Sequence, residues 1–132
     1  MKFGSVYRDG KVVPIIQGIG GIAHYLESIC KQAKFKPLHT ILDLINASYD
    51  DPTLCSKLET ATQGLTGFEP TDWAPPIVNP SKILGVAFNN KELMKKAHKD
   101  PGVPNYFLKP PSALQGHNNA IIVDPDWGAV IP

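Results

Sequence analysis

Lys82-Ile-Leu-Gly-Val-Ala-Phe-Asn-Asn90 and, beyond a short polar segment, Tyr106-Phe-Leu-Lys-Pro-Pro-Ser-Ala-Leu114 are the two stretches whose reading decides the fold. The first is an apolar β-former run, Ile83–Phe88, that ends in two amides and reads as a buried strand. Lys91–Lys99 follows as a one- to two-turn polar helix, basic along one side and cut off by Asp100-Pro-Gly102. Tyr106–Leu108 then returns as a strand, and Lys109 stands at its corner ahead of two prolines. Strand, helix, strand and a stiff corner are how a sheet enzyme presents backbone and polar groups at a pocket mouth.

Working outward, proline divides the chain. Three of thirteen prolines precede residue 70, at Pro14, Pro37 and Pro52. The first half can hold helices of ordinary length, whereas the second must be strands and turns with one short helix. Phe3–Tyr7 and Val12–Ile16 flank Asp9-Gly10, a two-residue hairpin signal because both turn positions take positive φ. From Gly21 the apolar positions Ile22, Tyr25, Leu26, Ile29, Cys30 and Ala33 predict one amphipathic helix ending before Pro37. His39–Ala47 predicts a second helix. Asp51 as N-cap with Pro52 in the first turn predicts a third, with Leu54, Cys55, Leu58 and Ala61 inward and Gly64 as its stop. Ala120–Val123 reads as a further strand before a turn at Asp124–Trp127, and Ala129–Pro132 is a fresh apolar run.

Composition limits the function classes. A chain of 132 residues, 42% apolar and 19% charged, can bury a core and is not a disordered polyanion or polycation. The formal charge is +1. Residues 1–78 carry seven Lys/Arg against eight Asp/Glu, and residues 79–132 six against four. No basic face for nucleic acid emerges, and no anionic-lipid surface is implied. No apolar run reaches the roughly eighteen residues of a membrane span, and the N-terminal residues lack an apolar signal core. Cys30 and Cys55 then read as reduced packing thiols, and a cytoplasmic location is the expectation.

Chemistry-bearing groups are few. Gly18-Ile-Gly-Gly-Ile-Ala23 has the small-residue spacing of a dinucleotide turn, with Asp43 twenty residues beyond. Its preceding strand belongs to a hairpin, however, and Asp43 falls inside a helical pattern, so a glycine turn leading into the helix is the better account. His24, His39, His98 and His117 show no metal-ligand spacing. His98 is a candidate general base, since imidazole titrates near neutrality, against the plainer reading of a surface histidine at a frayed helix end. Asn89 and Asn90 suit either capping or a pocket wall. Lys109 is the notable charge: a residue before proline is held extended, and its ammonium is a compact point charge for an anionic substrate group.

Asn79-Pro-Ser-Lys-Ile-Leu-Gly-Val-Ala-Phe-Asn89, Asn105-Tyr-Phe-Leu-Lys-Pro-Pro-Ser-Ala-Leu114 and Ile121-Ile-Val-Asp-Pro125 together resemble the fumarylacetoacetate hydrolase family. The resemblance covers about residues 73–132, while residues 1–72 look only loosely like the variable N-terminal region of such proteins. It implies an α+β chain: an N-terminal hairpin-plus-helices region (1–72), a linker (73–80), and the first strands of a mixed, rolled β-sheet catalytic domain (81–132). It implies a hydrolase, lyase or isomerase acting on C–C bonds of small 2-oxo or 1,3-diketo acids. Lys109, Asn89 and Ser112 would lie on the substrate, and magnesium or manganese would serve the complete enzyme. The metal ligands of the family are paired glutamates and a later aspartate, placed just beyond a segment like Asp124–Pro132. The expectation is therefore a truncated or split form, inactive and without bound metal on its own, with a homodimer or a complementary C-terminal chain as its partner. Hydrolytic members also carry Asn-Tyr-x-x-His-x-x-Glu after the first strand. Here Asn90, Leu93 and Lys96 stand at the Tyr, His and Glu places, which favours lyase, isomerase or hydratase-type chemistry over water activation. The alternative is a non-catalytic interaction module that keeps the opening strands.

Overall fold

A computed structural model describes residues 1–18, 20–98 and 100–127. The chain is α+β, and every strand pairing among the described residues is antiparallel. It separates into two compact units, Met1–Ile77 together with the described residues from Gln115 onward, and Val78–Leu114.

In the first unit, β1 (Lys2–Arg8) and β2 (Lys11–Gln17) pair from Lys2↔Gln17 to Arg8↔Lys11. Asp9 (φ 50°) and Gly10 (φ 71°) close the hairpin with the two positive φ angles that the Asp-Gly pair favours. β3 (Ala23–Tyr25) adds beside β2, and the short β4 (Trp73–Ala74), at the head of the stretch expected as a linker, adds beside β1, giving the order β3-β2-β1-β4. Pro14 falls one residue beyond the reach of β3, whose pairing begins at Ile15. There β2 has a neighbour on one side only, where a sheet tolerates proline.

Helix α1 runs from Leu26 to Gln32, not from Gly21. Ala23, His24 and Tyr25 are spent on the ladder with Gln17, Ile16 and Ile15, and Ile22 is left exposed. A bridge between Ala23 and Phe68, with N–H···O distances of 2.8 and 2.9 Å, holds these residues extended. Tertiary pairing thus overrides a helical pattern that β-branched and aromatic residues support only weakly. The glycine turn after β2 consequently leads into a strand rather than a helix.

Helix α2 spans Ile41–Asp50. It opens on a capping box: Thr40 Oγ1 accepts from Asp43 N–H at 3.0 Å, while Asp43 Oδ2 accepts from Thr40 N–H at 2.9 Å and His39 N–H at 3.0 Å. Helix α3, Leu54–Thr60, starts later than Asp51 predicts. Asp51 instead terminates α2 and gathers Thr53 N–H (3.0 Å), Thr53 Oγ1 (2.6 Å) and Lys57 Nζ (2.7 Å) on its carboxylate. Gly64 (φ 79°) ends the turn after α3.

The core follows from the period of two along β2. Ile16 faces the helices and joins Leu26, Ile29, Cys30, Leu38, Leu44, Ala47, Leu54 and Leu58 in one cluster. Ile15 points to the opposite face, with Val6 and Ala23, under Tyr25, Phe68 and Trp73. Each such Leu or Ile contributes about 1.5–3 kcal/mol by leaving water. Ser5 is buried and donates from Oγ to the carbonyl of Pro76 at 3.1 Å, which satisfies it.

The second unit holds β5 (Ile83–Ala87), α4 (Lys91–Ala97) and β6 (Asn105–Lys109). The strands pair from Ile83↔Lys109 to Ala87↔Asn105. β5 is not the buried strand its apolar run predicts: Leu84 is 63% and Val86 42% exposed. β6 is exposed along its length. Residues 120–123 form no strand and are exposed, and the run Ala129–Pro132 lies outside the described residues.

Candidate functional site

The second unit carries all four residues singled out as site candidates, so its geometry decides what they can do. The strands are locked by a glycine–aromatic pair. Gly85 lies opposite Phe107, and the ring occupies the space a Cβ on Gly85 would need. An aromatic over a glycine covers the backbone a side chain would otherwise shield.

Lys109 ends β6. Pro110 continues extended (φ −71°, ψ 153°), and Pro111–Ala113 then form a 3₁₀ turn closed by Ala113 N–H to Pro110 O and Leu114 N–H to Pro111 O, each 3.0 Å. The lysine stem runs along the face it shares with Phe107, and its ammonium stands 5.8 Å from the ring centroid. Among the described residues it has no carboxylate partner. Ser112 lies in the 3₁₀ turn, exposed.

Asn89 and His98 are at the other end. Asn89 follows β5, exposed, on the wall of an open hollow of about 430 Å³ with Phe88, Met94, Pro101 and Val103. Asn90 is the cap of α4, its Oδ1 accepting from Glu92 N–H (2.9 Å) and Leu93 N–H (3.2 Å). His98 closes the helix in the left-handed region (φ 49°, ψ 35°), a conformation that costs a non-glycine residue about 1 kcal/mol. It lines hollows of about 340 and 550 Å³, each shared with Asp100.

The hairpin therefore separates the candidates. Lys109 pairs with Ile83, whereas Asn89 lies beyond Ala87. At about 3.3 Å per residue these ends are at least about 13 Å apart. The structure groups Lys109 with Ser112, and Asn89 with the His98 end. Reading strand direction alone could have shown this, because residues on either side of a hairpin's helical connection cannot meet residues at its open end.

Leu93 and Lys96, at the family's His and Glu positions, are exposed on α4. The Gly18–Ala23 segment joins antiparallel strands, with Gln17 Nε2 bonded to Gly21 O, so no helix N-terminus faces the loop as a pyrophosphate would require. His24 is buried in β3 against Gly67, and its Nδ1 has no hydrogen-bond partner. Asp124 Oδ1 accepts from Asp126 N–H at 3.0 Å, which makes the pair a turn. Among the described residues no three His, Cys, Asp or Glu side chains are grouped to hold a cation. The described residues by themselves do not fit the divalent ion that the resemblance implies. No helix among the described residues is long and apolar enough to cross a membrane. Comparison with protein-family models, curated proteins and solved structures finds no match.

Proposed function

We propose that the chain contributes to an enzyme similar to the fumarylacetoacetate hydrolase family, acting on C–C bonds of a small 2-oxo or 1,3-diketo acid. One observation carries the reading. Lys109 is held at a stiff strand-to-turn junction with its ammonium unpaired among the described residues. Such an exposed cation on a stiff stretch of backbone attracts a substrate carboxylate without first breaking an ion pair. Ser112, three residues along in the 3₁₀ turn, adds a hydroxyl at the same end. Without an acid–base pair on α4, the reading favours cleavage, isomerisation or dehydration through an enolate over hydrolysis.

The test is turnover of oxaloacetate and acylpyruvates, with magnesium or manganese, by this chain joined to a complementary C-terminal segment that supplies the metal ligands, because the chain alone is expected to be inactive. Lys109→Ala lowers kcat/KM about 100-fold, and Lys82→Ala leaves it unchanged. Full activity in Lys109→Ala removes the lysine from the site, and absence of turnover of any 2-oxo acid overturns the reading.

A second reading has its own observation. Leu84, Val86, Tyr106 and Leu108 share one face of the β5–β6 pair and are 42–69% exposed, the kind of apolar face that interaction modules present. A non-catalytic module would use it for packing against a second copy or a complementary chain. Turnover by the purified protein excludes this alternative.

A further inference from the structure

We propose that the face of α4 bearing Lys91 and Lys95, with His98 at its end, binds the oxyanion of a small hydroxy acid, independently of Lys109. Lys91, Lys95 and His98 stand at i, i+4 and i+7, which is one side of a helix. With Met94 and Asp100 they line one open surface hollow of about 550 Å³.

Lysines at i and i+4 repel one another. Glu92, the carboxylate on the same helix, bridges neither of them, and among the described residues neither has an ion pair. His98 ends the helix in the left-handed region, where asparagine or glycine is ordinarily preferred. The two unpaired lysines and the left-handed His98 thus border one concavity.

The lining also sets the ligand. Two ammonium groups offer donors to an oxyanion. Met94, half-buried, gives an apolar floor. Asp100 is anchored by accepting from Gly102 N–H at 2.9 Å, and its carboxylate favours a ligand hydroxyl that can donate. A small acid with an oxyanion at one end and a hydroxyl at the other satisfies both walls. The oxyanion is either a carboxylate or a phosphate ester.

The experiment is an NMR titration of the full-length protein with malate, succinate and glycerol 3-phosphate, following the His98 ring and the Met94 methyl. Expected are saturable shifts with a dissociation constant of about 1 mM, weakened about tenfold in Lys91→Gln/Lys95→Gln. Malate binds more tightly than succinate, which lacks the hydroxyl. Tighter binding of malate than of glycerol 3-phosphate assigns a carboxylate, and the reverse order a phosphate ester. Lys82→Gln binds malate as the unaltered protein does, and the shifts are read at His98 and Met94, at the other end of the hairpin from Lys109, so failure here and failure of the Lys109 reading are separable. Shifts that never saturate, equal binding of malate and succinate, or full binding by the double variant with unchanged circular dichroism overturn the proposal and leave an ordinary solvated lysine face.

Discussion

Gly67→Ala tests whether the Ala23–Phe68 bridge, rather than helix propensity, holds residues 23–25 in the sheet. A Cβ at Gly67 would lie 2.9 Å from the backbone oxygen of Ala23 and 2.8 Å from Cε1 of His24, and would also strike Ile22 Cγ2. The oxygen cannot swing aside, since it accepts from Phe68 N–H at 2.9 Å, and Phe68 O in turn takes Ala23 N–H at 2.8 Å. Overpacking of this kind costs about 1–3 kcal/mol, and two strained backbone hydrogen bonds about 0.5–1.5 kcal/mol each. The substitution therefore destabilises by about 2–6 kcal/mol, and the stacked Tyr25–Phe68 rings, 4.5 Å apart, separate. Gly18→Ala is the control: nothing lies within 4 Å of its added Cβ and its φ is not positive, so stability is unchanged or raised by about 0.4–1 kcal/mol. Urea unfolding followed by circular dichroism reads both. If Gly67→Ala unfolds within 0.5 kcal/mol of the unaltered protein, the bridge does not hold the third strand.

Thr40→Ala removes the acceptor for Asp43 N–H and lowers stability by about 1 kcal/mol; an unchanged melting temperature would show that Asp43 caps α2 unaided. Asp51 is held down to about 2, first by the hydrogen bond from Lys57 and then by those from Thr53. Its folded value is depressed, so its contribution is complete above the ordinary carboxylate range near 4 and fades as pH falls through about 2. The difference in urea midpoint between the unaltered protein and Asp51→Asn should shrink across that window, and a pH-independent difference would contradict it. Burial pushes the Cys30 thiol up, only partly offset by a hydrogen bond to the Leu38 backbone. Cys55 is only half-buried, so a disulfide-exchange reagent should titrate one thiol in the folded protein and two in denaturant.

Local sequence signals were legible where the chain satisfies itself. Asp9-Gly10 closed its hairpin because its two positive φ angles are a property of two residues. The inward positions Leu26, Ile29, Cys30, Leu54 and Leu58 followed from helical spacing, which is why the α+β class could be read directly. Asn90 reads from sequence as a cap or a pocket wall, and its short side chain accepts from the backbone N–H groups two and three residues on, those of Glu92 and Leu93. The capping box at Thr40–Asp43 was legible too, as Thr-x-x-Asp before an apolar run.

Tertiary structure alone decided matters of partnership. Ala23–Tyr25 joined a sheet because Phe68, more than forty residues away in sequence, supplies hydrogen bonds that no periodicity encodes. Ile83–Ala87 has an interior strand's composition, yet its exposure depends on what lies across from it, and composition cannot specify a neighbour. The same holds for the site candidates. Residue type marks Lys109, Ser112, Asn89 and His98 as able to meet a ligand, but antiparallel register places Lys109 and Ser112 at one end of a hairpin and Asn89 and His98 at the other. Side-chain chemistry is a property of each residue, whereas the distance between two side chains depends on every pairing between them.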